Sequence, residues 1–113
     1  MSRQFVVSLA LALVIFFGWN AGTAQARSGK AAYHARDSRM VTCARYEPIG
    51  SILRVTNPRT GKTITVTVNG RGPYNGNRIL DLSTGAFKAL FGSLRRGVGP
   101  ISYVVVRRGK RRS

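Results

Sequence analysis

One run of residues constrains this chain most. Thr63-Ile64-Thr65-Val66-Thr67-Val68-Asn69 alternates strictly, with the threonines on one side and Ile64, Val66 and Val68 on the other. A period of two in β-branched residues marks a strand with one face buried and one in water. Ser51 to Asn57 reads as a partner strand. Pro58-Arg59-Thr60-Gly61 between them reads as a turn, so the two predict a hairpin.

The flanks extend the pattern. Gly70-Arg71-Gly72-Pro73-Tyr74-Asn75-Gly76-Asn77 is rich in glycine and holds a proline, which predicts a loop with unusual backbone angles. Arg78 to Leu82 is a short apolar stretch with one acid, Asp81, inside it. Ser83 can cap a helix over about Thr84 to Phe91, and Gly92 can end it. Ile101 to Val106 reads as a last strand. Upstream, Ala31 to His34 can start a strand, Ala35 to Arg39 is a loop, and Met40 to Ala44 is apolar again. The expectation is one mainly-β domain with a single short helix.

The N-terminus carries a different signal. Arg3 precedes an apolar run from Phe5 to Trp19, which is short for a bilayer span of roughly 20 residues. Ala24-Gln25-Ala26 fits a signal-peptidase site before Arg27. Residues 1–26 therefore read as a cleavable signal peptide, with an uncleaved anchor as the alternative. The remainder divides into a basic linker at 27–30, a domain at 31–106 and a basic tail at 107–113. The chain is expected in the periplasm or outside the cell, as a monomer without a stable membrane anchor.

Charge narrows the partners. Nineteen Lys and Arg stand against three acids, a formal net charge of +16. Such a surface attracts polyanions. Export argues against nucleic acid and leaves glycan strands and other anionic envelope polymers. Cys43 is the only cysteine, so no intrachain disulfide can form, and it is expected as a small buried hydrophobe. One Cys and one His make a poor metal site, and neither a metal nor a cofactor is expected.

The order of these segments resembles the rare lipoprotein A family of double-psi β-barrels. The matching residues are Pro48-Ile49-Gly50-Ser51, Arg54-Val55-Thr56-Asn57, Gly61-Lys62, Val68-Asn69-Gly70-Arg71-Gly72-Pro73-Tyr74 and Arg78-Ile79-Leu80-Asp81-Leu82-Ser83. The resemblance implies a six-stranded closed barrel with one short helix, exported to act on peptidoglycan. Active members of the family are lytic transglycosylases, which cut the glycan strand and leave a 1,6-anhydro end.

That chemistry can run on one carboxyl group. The acid protonates the leaving oxygen, then takes the proton of the sugar's own 6-hydroxyl as the ring closes. Asp81 is the catalytic candidate, and the alternative is an Asp that holds backbone amides. Asn69, Arg71 and Arg78 line the expected groove, where Arg forks match carboxylate, acetamido and hydroxyl acceptors. Tyr46 and Tyr74 are candidates for stacking on sugar faces.

Two departures from the family pattern stand out. The family's Asn-Asp-Arg-Gly-Pro is Asn69-Gly70-Arg71-Gly72-Pro73 here, without the carboxylate. The His of its Thr-Ala-Ala-His falls on Ala44, or on Arg45 with a one-residue shift. His34, the only histidine, is expected to be solvated or structural. Glu47 is expected as a surface acid paired with an arginine, worth about 0–1 kcal/mol. Three readings follow: a lytic transglycosylase, a glycan-binding module that no longer cuts, and a cationic protein that binds anionic polymers.

Overall fold

A computed structural model describes residues 26–110. The alternating run forms β4 (Thr63–Arg71), with Ile64, Val66 and Val68 buried and the threonines between them exposed. It pairs antiparallel with β3 (Ile52–Thr56), which confirms the hairpin. The other strands are β1 (Arg27–Ala35), β2 (Val41–Ala44), β5 (Arg78–Ser83) and β6 (Val98–Arg107). Together they close a barrel in the order β1-β5-β2-β4-β3-β6. Two of its pairs are parallel, β1 with β5 and β2 with β4, and the remaining four are antiparallel.

Alternation carries one residue in two from each strand inward. Leu53, Val55, Val66, Val68, Leu80, Leu82, Ile101 and Tyr103 meet in the interior. The helix α1 (Thr84–Phe91) follows β5 without a break. Ser83 is extended, and its Oγ accepts the Ala86 N–H at 3.1 Å. At the other end Gly92 takes φ +82° and donates its N–H to the Lys88 carbonyl at 2.7 Å. This left-handed position is one that glycine adopts at no steric cost. Ala86, Phe87 and Leu90 face the core, where the Phe87 ring lies 4.8 Å from Tyr33 and 4.5 Å from Phe91.

Two expectations need correction. Arg27–Lys30 is not a linker but the first part of β1. It pairs with β6 from Arg27 opposite Tyr103 to Lys30 opposite Pro100. Its basic side chains can lie on the outer wall of a barrel, where charge does not oppose strand formation. Residues 1–25 and 111–113 lie outside the described residues, and with them the expected signal peptide and the end of the basic tail.

Glu47 is the second correction. It is only 3% exposed. Its carboxylate accepts from the Tyr103 hydroxyl at 3.0 Å and pairs with Arg108 Nη1 at 3.3 Å and Arg27 Nε at 3.6 Å. Burial, reinforced by the Glu47 charge, pushes the Tyr103 hydroxyl well above its usual range. The acid joins the start of β1, the end of β6 and the β2–β3 loop, the seam where chain ends close the barrel. Glu47→Ala strands a buried hydroxyl, which costs about 1–3 kcal/mol. Its arginine partners are half in water and lose less. Thermal unfolding of Glu47→Ala beside Arg108→Ala checks this, with the acid the costlier loss.

Candidate functional site

The register of four adjacent strands sets one row of residues across the wall. Ala32 on β1 lies opposite Asp81 on β5, Asp81 opposite Cys43 on β2, and Cys43 opposite Gly70 on β4. The neighbours of these residues point inward: Leu80 and Leu82 beside Asp81, Thr42 and Ala44 beside Cys43, all essentially fully buried. Asp81, Cys43 and Gly70 therefore face outward together.

Asp81 is held on one side. Arg78 Nη2 donates to its Oδ1 at 2.6 Å, with the Asp81 side chain 15% and the Arg78 side chain 34% exposed. Among the described residues no hydrogen bond reaches Oδ2. The Arg78 Nε is sealed without a partner, so the bridge to Asp81 carries that guanidinium's polar contacts.

Cys43 is half-buried rather than enclosed, which corrects the buried-hydrophobe expectation. Its Sγ sits 3.6 Å from His34 Nε2. Burial, and then the Asp81 charge, pushes the thiol up. Because the thiolate is the reactive form, alkylation of Cys43 by iodoacetamide is expected to be slower at neutral pH than that of an unstructured peptide thiol. It should accelerate on going alkaline. A rate equal to the peptide's would contradict the geometry.

Gly70 explains its own residue type. A Cβ there would lie 2.7 Å from Cys43 Sγ, closer than a carbon and a sulfur can approach. A side chain at position 70 and the Cys43 sulfur in this rotamer exclude each other.

The other expected residues are not brought onto the row by any described contact. Gly72 N–H bonds to the Ala44 carbonyl at 3.2 Å, which ties the glycine-rich loop to β2, and Arg45 N–H bonds to the Ile79 carbonyl of β5 at 3.1 Å. Arg71 is exposed at the end of β4, and Tyr74 is 65% exposed on the loop. Tyr46 is 45% exposed, with the Arg27 guanidinium 4.2 Å and the Arg45 guanidinium 5.7 Å from its ring centre. Arg45 Nη1 donates to the Gly76 carbonyl at 2.7 Å. Asn69 is exposed at a bulge, the extra residue of β4 between the Thr42–Val68 and Cys43–Gly70 pairs. Its side chain is not brought onto Asp81 by any described contact.

Each of the three acids has an arginine: Asp37 with Arg39, Glu47 with Arg27 and Arg108, Asp81 with Arg78. Among the described residues no other Lys or Arg pairs with an acid. Among the described residues no group of three His, Cys, Asp or Glu is placed to hold a metal ion. No described helix is long and apolar enough to cross a membrane.

With this geometry in place, the relatives agree. A family model described as lytic transglycolase, a double-psi barrel domain, matches residues 17–103. The chain belongs to the rare lipoprotein A-like family of double-psi β-barrels. Among the family's members, the probable endolytic peptidoglycan transglycosylase RlpA of Nostoc sp. is 42% identical over 69 residues, 61% of this chain and 18% of that protein. The protein of the same name from Aquifex aeolicus is 35% identical over 94 residues, 83% of this chain and 41% of that protein. The chain thus spans about a fifth to two fifths of these rare lipoprotein A relatives. A solved structure, the Streptomyces papain inhibitor, shares the fold with a TM-score of 0.62 at 23% identity. The match covers 76% of this chain and 98% of that one.

The sequence assigned Asp81 and Arg78 to one expected groove; it favoured a solvated or structural His34 over one that reaches the groove, and did not join it to Cys43. No local signal could join them, since β5, which arrives far later in the chain, lies between their strands.

Proposed function

We propose that this domain acts at the bacterial envelope on peptidoglycan glycan strands, binding them along the Asp81 row and cutting them by lytic transglycosylation. One observation carries the reading: Asp81 is an outward carboxyl group braced through Oδ1, with Oδ2 left for a substrate. Lytic transglycosylation asks for that much, because the sugar's own 6-hydroxyl replaces water as nucleophile. Hydrolysis would need a second carboxyl group across the bond, and no other acid faces this row. On this reading Arg71 and Arg78 hold sugar substituents, and the exposed rings of Tyr74 and Tyr46 lie against sugar faces. The names of the rare lipoprotein A relatives support the same substrate.

A second reading is a barrel that binds glycan without cutting it. Gly70 favours it, since the position that carries an acid in the family is filled here by the Cys43 sulfur. Incubating the purified protein with peptide-free glycan strands separates the two. Release of 1,6-anhydro ends, read by mass spectrometry, is the expected result. Co-sedimentation with the strands and no such ends would leave binding alone. Sedimentation lost at modest salt would mean that bare charge does the work, the polyanion-binding alternative.

A further inference from the structure

We propose that His34 is the second proton-transfer group of this site, the base that receives the 6-hydroxyl proton. The proposal rests on the lytic reading above. Its first support is topological. In the barrel wall β5 lies between β1 and β2. His34 is on β1 and Cys43 on β2, yet Nε2 and Sγ are 3.6 Å apart. The imidazole must therefore cross the outer face of β5. The outward residue of β5 at the level of Cys43 is Asp81. The histidine lies over the strand that presents the acid.

Elimination is the second support. On the one-carboxyl route Asp81 takes this proton back itself; a separate base at neutral pH must be a neutral imidazole or a free carboxylate. Asp37 is bound through both oxygens to Arg39, which holds its carboxyl below the usual range. Glu47 is sealed between Tyr103 and two arginines. Of the two positions that answer to the family's histidine, Ala44 has no polar side chain, and Arg45 is spent on the Gly76 carbonyl and has no lone pair to offer. The Cys43 thiol is pushed up by burial and stays protonated. His34 is the group left, and it is exposed.

The step balances without a further reactant. Asp81, in its acid form, gives its proton to the bridging oxygen as the glycosidic C1–O bond breaks. The 6-hydroxyl oxygen donates its electron pair to C1 and closes the anhydro ring. Its proton passes to the ring nitrogen of His34 that carries the lone pair. The imidazolium then returns a proton to Asp81, and no water is consumed. Cys43 is a positioning residue that holds the ring through its 3.6 Å contact with Nε2.

The test compares wild type, His34→Gln and His34→Ala for anhydro-end release, strand co-sedimentation and thermal midpoint. His34→Gln should lose about 10²–10⁴-fold in kcat, with KM, sedimentation and midpoint unchanged. Added imidazole should restore part of the rate to His34→Ala and none to Asp81→Asn, a rescue that a packing role would not give. A His34→Gln rate close to wild type, or a loss that imidazole does not relieve, overturns the proposal while the lytic reading stands. Wild-type protein that yields no anhydro ends brings down both.

Discussion

Asp81→Asn is expected to lower anhydro-end release by about 10²–10⁴-fold while strand binding and the fold stay close to wild type. The amide keeps the size of the carboxyl group and its carbonyl oxygen can still accept from Arg78 Nη2, which now stands 2.6 Å from Oδ1. What it loses is the proton to give. The bridge itself is partly in water, at 15% and 34% side-chain exposure, and pairs of that kind are worth at most about 1 kcal/mol. A fall in thermal midpoint large enough to explain the lost rate is therefore not expected. Asp81→Ala is the harsher control, because it strands a guanidinium whose Nε already lacks a partner. Unchanged product release from Asp81→Asn would remove this residue from the chemistry.

The sequence was most informative where physics is local. Strict alternation announced β4 and its buried face. A hydroxyl before the helix and a glycine after it placed α1 at Thr84–Phe91, as found. Each signal acts over a few residues, so each can be read from a few residues. The closed strand order was different in kind. It entered only through the resemblance to a family, since nothing in the periodicity says that β5 inserts between β1 and β2.

The misread residues share that cause. Arg27–Lys30 looked like a linker because charge and glycine are poor strand formers taken alone. Its strand is fixed by β6, whose pairing residues lie at the far end of the chain. Glu47 looked like a surface acid because burial of a carboxylate is costly without partners. Its partners, Tyr103 and Arg108, come from the opposite end of the sequence. His34 and Cys43 are close in sequence but on strands that do not pair, so their meeting could be read only from the barrel. The site's acid was legible from a motif, whereas the groups around it depend on closure.

Closure also explains why the largest loss of stability should come from the helix. Phe87→Ala is expected to destabilise the domain by about 3–5 kcal/mol. Phe87 is fully buried, the largest side chain so enclosed among the described residues, and its ring meets both Tyr33 of β1 and Phe91. Alanine would leave a void lined by Tyr33, Leu90 and the barrel floor that neighbouring backbone cannot fill. A small domain has roughly 5–15 kcal/mol in total, and each kcal/mol moves the midpoint of one this size by about 4–8 °C. A drop of at least about 12 °C follows. Lys88→Ala, on the exposed side of the same helix, should stay within about 0.5 kcal/mol and shows that the effect belongs to the core. A small shift for Phe87→Ala would mean that the helix is not what braces β5. If the drop is found, the link to function is short: α1 begins at the residue after Ser83, two positions beyond Asp81. A loosened helix frees the end of the strand that carries Asp81, so the proposed glycan cleavage should be lost in this variant at temperatures well below those that unfold wild type.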